Sequence, residues 1–338
     1  MRPPFDLDAM VAGIRAAERA TLGRSITLVE SKHPDDRAHA HQLLARLAPD
    51  TGRAHRIGIT GVPGVGKSTF IDAFGLALCD LAAPGPTDPA DPPARLSIGV
   101  LAVDPTSEKT GGSILGDKTR MPRLATDSRA FIRPSPAGGT LGGVAARTRE
   151  ATLVLEAAGC SHVLIETVGV GQSETAVAHL VDTFVLLALP GAGDELQGIK
   201  RGIMEMADLV VVTKADGELE RPAHRAAAHL RAALRLLHPA GEPPEVLVTS
   251  ALEGLGIAEV LAAADAHVAR QALNGKLAAQ RAGQNLRWLW ALVDERVRDR
   301  IRHELAGELA SIEAAVESGA LPVLAAVDRL LTCWPPAH

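Results

Sequence analysis

The segment "HRIGITGVPGVGKST" (residues 55–69) joins an apolar run to a glycine-rich loop that matches the pattern G-x-x-x-x-G-K-[ST]. In this pattern backbone N–H groups surround phosphate oxygens, and the following helix presents its positive N-terminus to the same anion. The segment therefore predicts a strand, a phosphate-binding loop and a helix, in that order. Lys67 is expected near the β and γ phosphates, and the Ser68 hydroxyl on Mg²⁺. The residues expected to contact a nucleotide here are Gly61, Val62, Pro63, Gly64, Val65, Gly66, Lys67, Ser68 and Thr69.

Strand-length apolar runs recur along the rest of the chain and alternate with helical patterns. The runs cover residues 95–104, 161–169, 182–190, 207–216 and 244–252. Strands that are apolar nearly throughout are buried on both faces, which is typical of a parallel sheet covered by helices. The helical patterns at 141–159 and 219–239 have the length of crossover connections. The sequence predicts a doubly wound α/β fold with a mainly parallel sheet.

Helical patterns continue beyond the sheet at both ends of the chain. Residues 6–48 read as two or three amphipathic helices, and residues 256–333 are again helical. We expect three parts: an N-terminal helical extension over residues 1–52, a nucleotide-binding domain over 53–272, and a C-terminal helical arm over 273–338.

Composition argues against several classes of partner. The formal charge of −5, from 35 basic and 40 acidic residues, leaves no cationic surplus to neutralise nucleic acid. No apolar run approaches the roughly 18–20 residues of a bilayer span, and the N-terminus has no secretory pattern. Cys79, Cys160 and Cys333 are too dispersed for a disulfide framework or a cysteine zinc site. We expect a soluble cytoplasmic protein that binds neither nucleic acid nor membranes.

Two acidic residues, Asp104 and Glu166, each follow an apolar run. The carboxyl ends of parallel strands meet at one edge of the sheet, so both should lie beside the phosphate loop. Mg²⁺ takes few carboxylates and keeps several waters. The sequence predicts a magnesium site of Ser68, Asp104 and Glu166. Gly169, three residues after Glu166, stands where GTPases sense the γ-phosphate through a backbone N–H.

The residue after that glycine departs from the small-GTPase pattern. D-x-x-G-Q uses its glutamine to orient the attacking water, whereas this chain reads E-T-V-G-V, with Val170 in the glutamine's place. Valine cannot orient water, and Gln172 lies two positions too late to be taken as a replacement. We therefore expect slow intrinsic hydrolysis that a moving loop or a partner accelerates.

A base-reading corner is predicted at "VVVTKADG" (210–217), where Thr213 replaces the asparagine of the usual Asn-Lys-x-Asp. The Asp216 carboxylate can accept from N1–H and the exocyclic amine of guanine, a pair of donors that adenine lacks. Lys214 can lay its aliphatic stem along the base, and the Thr213 hydroxyl can do part of the asparagine's work. The next strand end carries Ser250, Ala251 and Leu252, where GTPases meet the guanine oxygen. We expect guanine selectivity with some loss of affinity.

These motifs resemble those of the MeaB-type (MMAA-like) GTPases, also called ArgK. The resemblance covers nearly the whole chain and rests on "GVPGVGKST" (61–69), "AVDPTSEKTGGSILGDKTRM" (102–121), "ETVGVGQSE" (166–174) and "GAGDELQGIKRGIMEMAD" (191–208). It implies a P-loop NTPase of the SIMIBI type that binds GTP or GDP with Mg²⁺ and forms a homodimer through a C-terminal arm.

The resemblance also implies a role and further site residues. Members of this family are chaperones that dock on an adenosylcobalamin-dependent acyl-CoA mutase of the methylmalonyl-CoA or 2-hydroxyisobutyryl-CoA type. They gate the loading of adenosylcobalamin, which belongs to the mutase, and protect or reactivate that enzyme. Residues 104–121, 166–174 and 191–200 correspond to three switches, with Gln197 and Lys200 as functional side chains of the third. The catalytic set implied is Lys67, Glu166, Gly169, Gln197 and Lys200.

The sequence alone is compatible with three further functions. A nickel-insertion GTPase has a similar nucleotide core but needs a cysteine or histidine cluster. Here "HAHQ" offers His39 and His41 near His33, and an i, i+2 pair on a helix diverges. An ArgK-like kinase would transfer the γ-phosphate to an acceptor, and a scaffold would bind GTP without turning it over.

Overall fold

A computed structural model of the chain describes residues 5–82, 96–104, 120–136, 141–167, 173–191, 201–239 and 241–333. The chain divides into two compact units, Met1–Gln284 and Asn285–His338. Among the described residues no helix is both long enough and apolar enough to cross a bilayer.

The first unit is built on a seven-stranded sheet. Its strands are β1 His55–Gly61, β2 Ile98–Asp104, β3 Ala130–Pro136, β4 His162–Thr167, β5 Thr183–Ala188, β6 Leu209–Val212 and β7 Glu245–Val248. The order is β3-β2-β4-β1-β5-β6-β7, and neighbouring strands are parallel throughout. This confirms the predicted doubly wound sheet, with β1 at its centre.

Helices precede, connect and follow the strands. The N-terminal helices are α1 Leu7–Arg15, α2 Arg19–Glu30 and α3 Pro34–Leu47. Between strands lie α4 Lys67–Ala82, α5 Pro122–Thr126, α6 Leu141–Ala157, α7 Ser173–Ala178, α8 Arg201–Met206 and α9 Glu220–Leu237. After the sheet come α10 Ile257–Leu273, α11 Lys276–Glu304, α12 Ala306–Glu317 and α13 Val323–Cys333. Short 3-10 turns cover Ala48–Asp50 and Gly217–Leu219.

The strands contribute residues to two separate cores, one on each face of the sheet. In β5, Phe184 and Leu186 join the core beneath α2, α3, α6 and α9, whereas Val185 and Leu187 join the core beneath α4 and α10. Both faces of the sheet are therefore buried, which explains why the strands are apolar nearly throughout. The N-terminal helices belong to the first of these cores, through residues such as Leu22, Ile26, Leu43 and Leu47.

Strand β3 was not predicted. Its sequence AFIRPSP contains Pro134, Pro136 and Arg133, and prolines within a run argue against a central strand. Among the described residues, β3 lies at the edge of the sheet and pairs with β2 only. An edge strand tolerates proline because one row of its N–H groups needs no partner in the ladder. The prediction failed because the sequence does not reveal whether a strand lies at an edge.

The strand register brings the predicted phosphate and metal residues to one edge. Ile59 of β1 pairs with Glu166 of β4, and Gly61 pairs with Leu187 of β5. Asp104 is the last residue of β2. The carboxyl edge of the sheet, beyond these residues, is where open α/β sheets bind their ligands.

A buried ion network lies at the opposite, amino edge. Asp182, which is fully buried, accepts hydrogen bonds from the Arg56 side chain at 2.5 and 3.1 Å. Arg281 of α11 donates to the same carboxylate at 2.8 and 3.0 Å. Burial alone would raise the pKa of Asp182, but the hydrogen bonds from Arg281 and Arg56 outweigh it and hold the pKa below its ordinary value. The network ties the beginning of α11 to β1 and β5.

We expect Asp182→Ala to lower the free energy of unfolding by about 3–5 kcal/mol, because it leaves the buried Arg56 charge without its main partner. Urea unfolding at neutral pH measures this loss. Asp182 has a lowered pKa, so its contribution is present above the ordinary Asp pKa of about 4 and is lost as the pH falls further. The difference between parent and variant should therefore shrink below about pH 4.

The control is Asp8→Ala, which removes an exposed pair with Arg46. Exposed pairs contribute about 0–1 kcal/mol. A loss for Asp182→Ala no larger than that of Asp8→Ala would contradict the role given to the network.

Candidate functional site

The glycine-rich loop between β1 and α4 has the backbone geometry of a phosphate cradle. Gly64 and Gly66 have φ of 80° and 91°, which side chains disfavour. A Cβ on Gly61 would lie 2.7 Å from the Leu187 carbonyl oxygen, so only glycine fits there. Helix α4 begins at Lys67, and the N–H groups of its first turn have no partner within the helix. An anion in the loop would meet these donors and the positive end of the helix dipole.

Lys67 folds back over the loop. Its Nζ donates to the Gly61 carbonyl at 2.8 Å and to the Val62 carbonyl at 3.2 Å. Burial lowers the pKa of Lys67, while Glu166 and Glu174 act in the opposite direction. The amine is thus held at the mouth of the loop by carbonyl groups.

Two of the three predicted metal ligands, Ser68 and Glu166, lie together. The Ser68 hydroxyl donates to the Glu166 carboxylate at 3.2 Å, and Glu166 is only 9% exposed. A hydroxyl and a carboxylate are the hard oxygen donors that suit Mg²⁺, and a phosphate oxygen and water can complete its shell. The side chain of the third predicted ligand, Asp104, lies outside the described part of the structure.

Thr213 joins the base-reading corner to the phosphate loop. Its side chain is buried, and its hydroxyl donates to the Val65 carbonyl at 2.7 Å. The same hydroxyl lies 3.3 Å from the Ala188 carbonyl, which also accepts the Thr213 backbone N–H at 2.9 Å. The residue that replaces the usual asparagine therefore braces two loops from different strands.

Lys214 and Asp216 extend from this brace. Lys214 has φ of 59°, in the left-handed region, and its side chain is exposed. Its Cε passes 3.8 Å from where a Gly66 Cβ would be, so the stem runs beside the phosphate loop. Asp216 is half-buried and accepts a 2.6 Å hydrogen bond from the buried Ser250 hydroxyl. Ser250 thus fixes the carboxylate and leaves its second oxygen for another donor.

The turn after β7 contains the three residues predicted to meet guanine, and they differ in exposure and hydrogen bonding. The backbone N–H of Ser250 donates to the Leu255 carbonyl at 3.0 Å, so it serves the turn itself. Ala251 is half-buried, whereas the Leu252 side chain is 78% exposed. The groups of this turn that could still meet guanine are the backbone N–H groups of Ala251 and Leu252.

Several predicted residues lie outside the described residues. These are Gly169, Val170 and Gln172 of the second switch, Gln197 and Lys200 of the third, and residues 105–119 of the first. Within the described residues, Arg120 and Glu174 lie near enough to Lys67 to affect its pKa. Both belong to motifs quoted above, but neither was predicted as a site residue, because a motif does not show which charge faces the lysine.

Comparison with known proteins identifies the relatives of this fold and site. Residues 22–306 match the sequence model of the family described as "Methylmalonyl Co-A mutase-associated GTPase MeaB". The chain belongs to the MeaB family of GTPases. It is accordingly a GTPase, and its family is one associated by name with methylmalonyl-CoA mutase.

Individual MeaB relatives extend over most of the chain. GTPase ArgK of Escherichia coli is 46% identical over 286 residues, covering 84% of this chain and 82% of the relative. The mitochondrial methylmalonic aciduria type A homolog of Mus musculus is 44% identical, covering 98% of this chain and 80% of the relative. A crystal structure of a LAO/AO transport system kinase is 35% identical with a TM-score of 0.71, covering 98% of this chain and 99% of that one.

We expect Asp216→Asn to weaken GTP binding by about tenfold or more while leaving weak ATP binding nearly unchanged. The substitution removes the anionic acceptor that only guanine can satisfy, and a mismatched buried polar group costs about 1–3 kcal/mol. Calorimetric titration with each nucleotide in the presence of Mg²⁺ measures both affinities.

The matched control is Lys67→Ala, which should abolish tight binding of either nucleotide because it acts on the phosphates. An equal loss of GTP and ATP binding in Asp216→Asn would contradict the base-reading role.

Proposed function

We propose that GTP lies across the carboxyl edge of the sheet, with its phosphates in the loop 61–69 and its base against Thr213, Lys214 and Asp216. The supporting observation is the hydrogen bond from Thr213 to Val65, which holds the two ends of this site together. Ser68 and Glu166 hold Mg²⁺, together with Asp104. The ion would neutralise charge on the β and γ phosphates.

We further propose that the chain is the GTP-dependent chaperone of an adenosylcobalamin-dependent acyl-CoA mutase. The family description carries this proposal, and the methylmalonic aciduria homolog in mouse supports it. The GTPase docks on the mutase, gates the loading of adenosylcobalamin, and protects or reactivates that enzyme. Its partner is a mutase of the methylmalonyl-CoA or 2-hydroxyisobutyryl-CoA type.

Slow intrinsic hydrolysis fits this role, because Val170 replaces the water-orienting glutamine. Gly169 would sense the γ-phosphate, and Gln197 and Lys200 of the third switch would supply the missing stabilisation once the mutase is bound. A supplied cation stabilises charge that develops on the transferring phosphoryl group.

We expect the cognate mutase to raise the kcat of GTP hydrolysis by at least about tenfold, within the range of up to 10³–10⁵ that supplied catalytic groups reach. Phosphate release is measured with GTPase alone, with the mutase, and with an unrelated protein at equal concentration. Lys200→Ala should keep the basal rate and lose most of the stimulation. Unchanged kcat in the presence of every candidate mutase would leave the chaperone proposal without support.

We propose a homodimer formed through the C-terminal helices. The second compact unit exposes large apolar side chains on α11: Leu286 is 59%, Leu289 51% and Trp290 63% exposed. On α13, Leu324 is 80% exposed. Spacings of three and four residues place the α11 side chains on one helix face. A cluster of this kind commonly marks a protein interface.

Light scattering after size-exclusion chromatography should give the mass of a dimer for the parent chain. Leu286→Glu combined with Trp290→Glu should shift it to the monomer, because each charge would have to be buried in the interface. Leu273→Glu is the control, since Leu273 is 90% exposed but lies at the end of α10 in the first unit. A monomeric parent, or a double variant that stays dimeric, would refute this interface.

A kinase activity is the second candidate function, because the 35% identical solved structure carries the name of a kinase. Transfer of labelled γ-phosphate to an added acceptor, compared with release to water, separates the two activities. A nickel-insertion function has less support. His39 stacks on Phe5, with ring centroids 4.2 Å apart, and His41 contacts Arg37, so these histidines do not converge.

A reducing compartment such as the cytoplasm suits the cysteines. Cys79, Cys160 and Cys333 are free thiols. Burial raises the pKa of Cys79 to about 12, which keeps that thiol protonated and inert. We therefore place the protein in the cytoplasm.

A further inference from the structure

Three side chains with metal-binding atoms converge at the amino edge of the sheet. His55 is the first residue of β1 and His162 the first of β4, and the two are register partners. Register partners project from the same face of a sheet, and on this face α10 contributes Asp265. One ring nitrogen of each histidine and one carboxylate oxygen of Asp265 all lie within 4.8 Å of one another.

His55 directs a buried nitrogen into this cluster. The residue is 8% exposed, and its Nε2 lies 2.8 Å from the Thr183 hydroxyl. Its Nδ1 is buried and has no hydrogen-bond partner. Asp265 Oδ1 lies 3.7 Å away, which is too far for a hydrogen bond. Buried polar atoms nearly always have a partner, so this nitrogen is a candidate ligand atom.

The other two groups are in the protonation states that bind metal. Burial, reinforced by the neighbouring His55, lowers the pKa of His162 to about 4, so this imidazole is neutral at pH 7. The Ser161 hydroxyl lies 3.0 Å from its Nδ1 and can orient the ring. The Asp265 carboxyl is 53% exposed and is ionised at neutral pH. Metal ligands must be deprotonated, a condition that a neutral imidazole and a carboxylate both meet.

We propose that His55, His162 and Asp265 form a binding site for a divalent transition-metal ion of the zinc type. Two imidazoles and a carboxylate, with water in the fourth position, are a ligand set that Zn²⁺ accepts. Tetrahedral donors about 2.0–2.2 Å from zinc lie about 3.3–3.6 Å apart, so ligand atoms now up to 4.8 Å apart must close by up to about 1.5 Å. Asp265, whose side chain is 53% exposed, can turn to do so. The hydroxyl of Thr183 supplies the outer contact that commonly fixes a ligating histidine.

The site is separate from the nucleotide. His55 lies six residues before Gly61 on β1, which corresponds to roughly 20 Å along an extended strand. Nearby His267 is paired with Asp208 at 3.5 Å and is not counted among the ligands. The ion would join β1, β4 and α10, the helix that follows the turn after β7. Binding to the folded state would raise its stability.

The test uses the full chain after removal of metal with EDTA. Zn²⁺ is titrated by calorimetry in excess Mg²⁺, added to saturate the magnesium site proposed at Ser68 and Glu166, and bound zinc is counted after dialysis. We expect one Zn²⁺ per chain and a thermal unfolding midpoint that rises on its addition. His162→Ala should lower the affinity at least tenfold and remove the rise in midpoint.

Asp265→Asn keeps the test decisive if His162→Ala fails to fold, because Asp265 is half-exposed and its replacement should fold normally in EDTA. It too should lower the affinity at least tenfold. His229→Ala removes an exposed histidine of α9 and should change nothing. The proposal is overturned if no stoichiometric zinc binds, if Asp265→Asn binds it as the parent does, or if His229→Ala weakens binding equally.

Discussion

Burial of both faces of the parallel sheet is the constraint on which the other features depend. The side chains in the middle of the strands pack into two apolar cores, so the polar groups lie where the strands begin and end. The carboxyl edge gathers Ser68, Glu166, Thr213 and Asp216 from separate parts of the chain. The amino edge gathers the Arg56–Asp182–Arg281 network and the histidine cluster. One packing rule thus produces two separate polar regions.

Hydrogen bonds between loops then fix the positions of the residues at the carboxyl edge. Thr213 reaches the Val65 carbonyl, and Ser250 fixes Asp216. Each bond joins residues more than thirty positions apart in sequence. Breaking such a buried bond is unfavourable, because a buried carbonyl left without a donor lowers the stability of the fold by about 1–3 kcal/mol. Thr213, which stands where the usual pattern has asparagine, therefore holds the base-reading corner to the phosphate loop.

Much of the fold and part of the site could be predicted, because their signals are local. The glycine-rich loop, the apolar strands and the crossover helices each have a pattern within one short segment. Strand β3 could not be predicted, since its prolines are acceptable only at an edge, and edge position depends on the whole sheet. Contacts between segments that are distant in the chain could not be predicted either. The acceptor of the Thr213 hydroxyl and the convergence of His55, His162 and Asp265 depend on strand register and helix packing, which join residues more than a hundred positions apart.

Strand β3 also disfavours the pairing of strands from other molecules with the edge of the sheet. An open edge offers a row of backbone donors to any extended segment from another molecule, which is how aggregation often begins. Pro134 and Pro136 remove two of those donors, and the Arg133 and Ser135 side chains are held by Glu30 of α2. These prolines made the strand hard to predict, and they also give the sheet an edge with which a strand of another molecule pairs poorly.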